Sequence, residues 1–123
     1  MASEIALGVS LTVTKSGQTI SGSASKVLDL AGDEALAQLV SIGFAADQAL
    51  DLSALNTVGQ LLVHNLDATN YVELSYDTGG SFTSKKFAKI RPGCACLLEP
   101  SSATIYAQAN TAACVVRICA TEV

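Results

Sequence analysis

Ile5-Ala6-Leu7-Gly8-Val9-Ser10-Leu11-Thr12-Val13-Thr14 puts a large apolar side chain at every odd position and a small or polar one at every even position. Successive strand residues face opposite ways, so this period of two predicts one long strand with one buried face. Ser16-Gly17 ends it with turn chemistry. A return strand from Thr19 to about Ala24, extended by Lys26 to Leu30, runs into the break Ala31-Gly32-Asp33. Residues 33–44 admit two readings. Leu36, Leu39, Val40 and Gly43 fit a short helix capped by Asp33, whereas Leu36, Val40, Ile42 and Phe44 fit a strand face. A strand over residues 37–44 is expected, followed by a short alternating piece at Leu50 and Leu52.

From Gly59 onward the pattern is β throughout. Runs at residues 60–65, 71–76, 85–90, 95–99, 104–108 and 113–120 alternate or are apolar. Turns separate them at Leu66–Asn70, Asp77–Gly80, Pro92-Gly93, Pro100–Ser102 and Asn110-Thr111. Within residues 71–76, Val72, Leu74 and Tyr76 should share one face, with Glu73 and Ser75 on the other. The expected class is all-β, a single-domain β-sandwich or jelly-roll of about eight to ten short antiparallel strands spanning residues 1–123. The long strand in residues 1–16 is suited to act as an arm, pairing with another subunit's sheet edge.

Composition narrows the function. Half of the 123 residues are hydrophobic, but only three Tyr and three Phe are aromatic and there is no Trp. Charged residues make up 15%, against about 25% in an average soluble domain, which fits a surface partly hidden in an assembly. A net charge of −4 with seven Lys and Arg argues against nucleic acid, whose phosphates require clustered cations. Lys85, Lys86, Lys89 and Arg91 form the one local cluster and read as an edge strand guarded against unwanted pairing. No run approaches the ~20 apolar residues of a membrane-spanning helix. Met1-Ala2-Ser3-Glu4 lacks the basic and apolar regions of a secretory signal, so synthesis and residence in the cytosol are expected.

Chemistry-bearing residues are sparse. Cys94-x-Cys96 and Cys114-x4-Cys119 lack the spacing and company of a zinc site. Strand alternation would put Cys94 and Cys96 on one face and Cys114 and Cys119 on opposite faces. Free thiols acting as small hydrophobes are expected. His64 is the one histidine, lying mid-strand with no nucleophile beside it. Asp77-Thr78-Gly79-Gly80 lacks the lysine of a phosphate loop. Asp47 and Asp51 lack the alternating acids of a calcium loop. No catalytic residue, metal site or cofactor is expected, and the chain is not read as an enzyme.

The segment Leu62-Val63-His64-Asn65-Leu66-Asp67-Ala68-Thr69-Asn70-Tyr71-Val72-Glu73-Leu74 belongs with Ile90-Arg91-Pro92-Gly93, Ile105–Ala109 and Thr111–Cys114. Together they resemble small virion proteins of tailed bacteriophages, over roughly residues 56–120 and more loosely over the N-terminal strand. In that family the Asn-Leu-Asp-x-x-Asn segment is a strand, turn and strand. The Pro-Gly segment leads into the next strand, where Cys94 replaces a common acidic residue. The resemblance implies a structural role in the virion, with synthesis in the host cytoplasm. A capsid decoration (cement) protein is the leading expectation: a trimer binding the major capsid protein and adding buried interface to the shell. A tail, neck or fibre component is the first alternative, and a carbohydrate- or receptor-binding module is an alternative of another class. Ile5, Leu7, Val9, Tyr71, Tyr76 and Phe82 are the expected protein-interface residues.

Overall fold

The computed structural model describes residues 5–28, 35–55, 58–76, 85–100 and 104–122. These residues hold ten strands, all paired antiparallel, and no α-helix. No helix among them is long and apolar enough to cross a membrane. The chain divides into two compact units, Met1–Gly32 and Asp33–Val123.

The first unit is a β-hairpin. Strands β1 (Ile5–Lys15) and β2 (Gln18–Leu28) pair without interruption, from Ile5 opposite Leu28 to Lys15 opposite Gln18. Ser16 and Gly17 both have positive φ, 53° and 77°. That is the type I′ turn, whose twist matches the flanking strands. The long strand and its return are therefore as expected, but the apolar face of β1 is not buried. Val9, Leu11 and Val13 are 51%, 70% and 47% exposed. The pair forms a sheet of its own, and a two-stranded ribbon has no second layer to cover a face.

The second unit contains β3 (Ala35–Ile42), β4 (Gln48–Ala49), β5 (Val58–Asn65), β6 (Val72–Tyr76), β7 (Lys86–Ile90), β8 (Ala95–Leu98), β9 (Ile105–Ala109) and β10 (Cys114–Glu122). They form two four-stranded sheets, ordered β3-β10-β5-β8 and β4-β9-β6-β7. The pairings β3 with β10, β4 with β9, β5 with β8 and β6 with β7 are nested about the β6–β7 connection.

Alternation is clean in the central strands. In β10, Cys114, Val116, Ile118 and Ala120 are buried while Val115 and Arg117 are exposed. In β5, Leu61, Val63 and Asn65 are buried and Gln60, Leu62 and His64 are half-buried. Both sheets supply one apolar cluster: Ile42, Leu61, Val63, Val116 and Ile118 from the first, and Val72, Leu74, Ile90, Ile105 and Ala107 from the second. Each Val, Leu or Ile fully buried there contributes ~1.5–3 kcal/mol.

Residues 35–42 are strand, and the competing helix does not form. Pairing with β10 satisfies their backbone while Leu36 and Val40 pack on the core. The piece at Leu50 and Leu52 differs from expectation. Only Gln48–Ala49 joins the sheet, and Asp51 then makes a side-chain turn, its Oδ1 accepting from Ser53 N–H (3.2 Å) and Ser53 Oγ–H (2.6 Å). Leu50, Leu52 and Leu55 enter the core from this irregular segment.

The ladder confirms one face for Val72, Leu74 and Tyr76, which oppose Ala109, Ala107 and Ile105. Tyr76, at the strand end, is nevertheless 48% exposed. Ser75 is fully buried opposite Tyr106, and its hydroxyl has no hydrogen-bond partner. The β6–β7 register shifts at this point, leaving Phe87 as the extra residue of a bulge.

Candidate functional site

Residues 65–71 form a structural junction. Asn65 is fully buried at the end of β5. Its amide donates to the carbonyls of Asn70 (2.9 Å) and Ile90 (3.0 Å), and its Oδ1 accepts from Asp67 N–H (2.9 Å). Asp67 in turn accepts from Thr69 N–H (2.9 Å) and Asn70 N–H (2.6 Å). The third loop joins through Thr111, whose hydroxyl donates to Asn70 Oδ1 at 2.7 Å, and through Asn110, whose Oδ1 accepts from Tyr71 N–H at 3.2 Å.

Arg91–Cys94 docks on the same point. Cys94 N–H donates to Arg91 C=O at 2.9 Å, and Gly93 has φ 78°. This is a type II turn, with Pro at its second position and the glycine that its third requires. Gly93 N–H donates to Asn65 C=O (3.0 Å), and Asn65 N–H donates to Cys94 C=O (2.9 Å). Two connections thus meet at Asn65, and the loop at Asn110-Thr111 is tied to them through Asn70 and Tyr71.

Hydrogen bonds from Asn70 N–H, then from Thr69 N–H, hold the Asp67 carboxyl below its ordinary range. A depressed folded-state value adds stability above the unfolded pKa of about 3.9, lost as pH falls through the folded value. Acid unfolding should therefore steepen below about pH 4. In Asp67→Asn that dependence should flatten, with the remaining slope coming from groups such as Asp51, whose pKa is also lowered by its Ser53 bonds. Unfolding midpoints from pH 2 to 7, roughly the span over which such groups titrate, provide the check.

The cysteines are free. Cys114 is buried, and burial followed by the nearby Asp67 charge raises its pKa. Cys96 packs on the core, where burial raises its pKa. Cys94 is exposed. The two do not share a strand face, because the turn ends at Cys94 and β8 starts only at Ala95. Cys114 and Cys119 do take opposite sides of β10, buried and half-buried. Among the described residues, no three His, Cys, Asp or Glu side chains gather where they could hold a metal. His64 pairs across the sheet with Arg117 and Ala95, neither a nucleophile nor a carboxylate.

The remaining candidates lie on sheet faces. Ile5 and Leu7 are half-buried and Val9 exposed on the hairpin. Tyr71 is half-buried at the start of β6, with Lys89 Nζ 4.5 Å from its ring centroid. Tyr76 rests against Phe87, ring centroids 6.1 Å apart. Phe82 lies outside the described residues. The structure brings Tyr71 and Tyr76 to the two ends of β6. Lys86 and Glu73 form an ion pair of 3.2 Å on the same sheet. Strand β7 is an edge strand, so the lysine-rich stretch sits where unwanted pairing must be blocked.

Sequence reasoning missed the outer face of β3-β10-β5-β8. Leu39, at 62% exposure, opposes Arg117, and Val115, at 45%, opposes Ser41. Leu66 is 45% exposed and is tied to Val115 by its N–H to the Val115 carbonyl at 3.0 Å. Ala37, Cys119, Leu62 and Leu97 form the next row across the sheet. Arg117, His64 and Ser41 interrupt this apolar face. Consecutive apolar pairs such as Leu39-Val40, Leu61-Leu62 and Val115-Val116 were its sequence signal, since neighbouring strand residues cannot both face a single core. No family model matches the chain, nor does any curated protein or solved structure.

Proposed function

We propose that the second unit is a jelly-roll and that the chain is a structural protein of a bacteriophage virion, a decoration protein that binds capsid subunits. Its strand order supports the fold. Numbered from β3, the sheets read first-eighth-third-sixth and second-seventh-fourth-fifth, the order obtained by rolling one long antiparallel hairpin into two facing sheets. Jelly-rolls build viral capsid and lectin domains, so the fold alone does not choose between them.

The observation that carries the reading is the apolar outer face around Leu39, Val115 and Leu66. Large contiguous apolar patches on soluble domains mark contact surfaces, and an added interface of this kind raises the cost of separating shell subunits. Copy number tests the role. Quantitative mass spectrometry of purified virions should find the chain at an abundance close to that of the major capsid protein. A small fraction of that would move it to tail or neck, and absence would overturn the virion reading. Val115→Glu should lower particle occupancy roughly tenfold or more. It should shift unfolding by no more than about 0.5 kcal/mol, as expected for an exposed site.

The exposed Tyr76–Phe87 pair favours a second reading, receptor or carbohydrate binding by aromatic stacking. Glycan binding that disappears in Tyr76→Ala would establish it.

A further inference from the structure

Strands β3, β5 and β8 carry no Lys, Arg, Asp or Glu, and β10 carries Arg117 and Glu122. Glu122 is buried, whereas Arg117 is exposed on the outer face. Cross-strand partners share a face, so Arg117 lies between Leu39 and His64 across the sheet and between Val115 and Cys119 along its own strand. No carboxylate among the described residues pairs with Arg117. Glu99, beyond the end of β8, is held instead by Gln60 Nε2–H at 2.9 Å. The strands of this apolar face thus present one full charge, and it is unanswered.

We infer that the face docks an unlike protein whose own apolar surface carries an Asp or Glu, and that this carboxylate seats on Arg117. The inference rests on the docking role proposed above and names the chemistry of the partner.

Covering the patch dictates what the partner must bring. Leu39 and Val115 flank Arg117, so a surface that removes them from water removes the guanidinium as well. A buried charge left uncompensated cancels the gain from the apolar contacts around it. A carboxylate answers the charge, because the planar guanidinium fork matches its two oxygens with parallel N–H donors. His64 stands directly opposite Arg117, with Cβ atoms of such pairs ~5 Å apart, and offers a further ring N–H to the same group.

Charge also separates this occupant from the others. A second copy of the same face would bring Arg117 towards Arg117. The hairpin's apolar face contains no Asp or Glu between Ile5 and Leu28 and adds Lys15 and Lys26. Neither apolar face of this chain therefore supplies the acid. Nucleic acid and anionic lipid surfaces require clustered cations, and a lone arginine among aliphatic side chains is not such a cluster.

Rebinding of the purified chain to phage shells assembled without it tests this, with the dissociation constant read by co-sedimentation. Arg117→Met keeps the length of the side chain and removes its charge. It should weaken binding roughly thirtyfold or more, as expected when one member of a buried charge pair is lost. Arg117→Glu should weaken it about a hundredfold or more. Both should keep the unfolding midpoint within about 2 °C of wild type, since the site is exposed. In shells carrying Arg117→Lys, a carbodiimide should join the introduced amine to an Asp or Glu of the capsid protein. If Arg117→Met binds as well as wild type or better, the arginine only keeps an apolar face in water; the inference falls while docking through Leu39 and Val115 stands. No cross-link, or one to another copy of this chain, would overturn it as well. A wild-type chain that fails to bind shells would remove the capsid role and the inference with it.

Discussion

Asn65→Ala is expected to lower the unfolding free energy by about 3 kcal/mol and the thermal midpoint by roughly 10–20 °C. The side chain is fully buried and serves three backbone groups: the carbonyls of Asn70 and Ile90 and the N–H of Asp67. Truncation strands all three, at ~1–3 kcal/mol for each group that stays dry, and water reaching the loop side recovers part of the loss. Asn65→Asp should be worse at neutral pH. A carboxylate cannot donate, so it would face two carbonyl oxygens while losing its own hydration. Burial would raise its folded-state pKa above the unfolded value of about 3.9, so the protonated form is the tolerated one. Stability of this variant should therefore rise as pH falls through that raised value towards 4, opposite to the acid-side loss expected from Asp67. Urea unfolding at neutral and mildly acidic pH measures both effects. If Asn65→Ala unfolds within about 0.5 kcal/mol of wild type, as an ordinary surface change would, the junction does not hold the loops together.

Ile118→Ala should cost about 3–4 kcal/mol, whereas Val115→Ala, three residues earlier on the same strand, should cost less than about 0.5 kcal/mol. Ile118 has no exposed surface and sits in the middle of β10, a strand paired on both sides. Neighbours held by two ladders cannot collapse into the space its removal leaves, so a cavity penalty adds to the lost transfer energy. Val115 projects from the opposite face of the strand and is 45% exposed. Truncating it removes little buried contact within the unit. Measured together, the two variants separate what holds the unit from what the proposed role uses. Comparable losses from both would show that the outer face is covered within the chain, and the docking reading would fall.

The extent to which sequence predicted structure follows from the range of the interactions involved. Alternation over Ile5–Val13, the Ser16-Gly17 turn and the Pro92-Gly93 turn are local, depending on side-chain period and on where a positive φ is tolerated. The Asn65, Asp67 and Asn70 turn was also legible, because Asn and Asp side chains satisfy nearby backbone groups. The choice of strand over helix at residues 35–42 depended on β10, more than seventy positions away. A period-2 or 3.6 pattern of only four apolar residues cannot settle that by itself. Leu50, Leu52 and Leu55 were apolar in sequence, but only the core they fill explains why they are buried without being in a strand. Leu39 and Val115 each adjoin a core residue in an apolar pair, and only the register fixed them on the outer face, opposite Arg117 and Ser41.

By itself, then, the sequence determined the all-β class, most strand positions and the chemistry of the turns. Each follows from residues close together in the chain. Only the tertiary structure decided that the first two strands form a ribbon with an uncovered apolar face, that the turns at residues 66–70 and 91–94 meet at Asn65, and that one sheet face is apolar outward. Hydrophobicity marks a side chain as better out of water, but which surface removes it from water is set by strand order and register, through contacts between residues far apart in sequence.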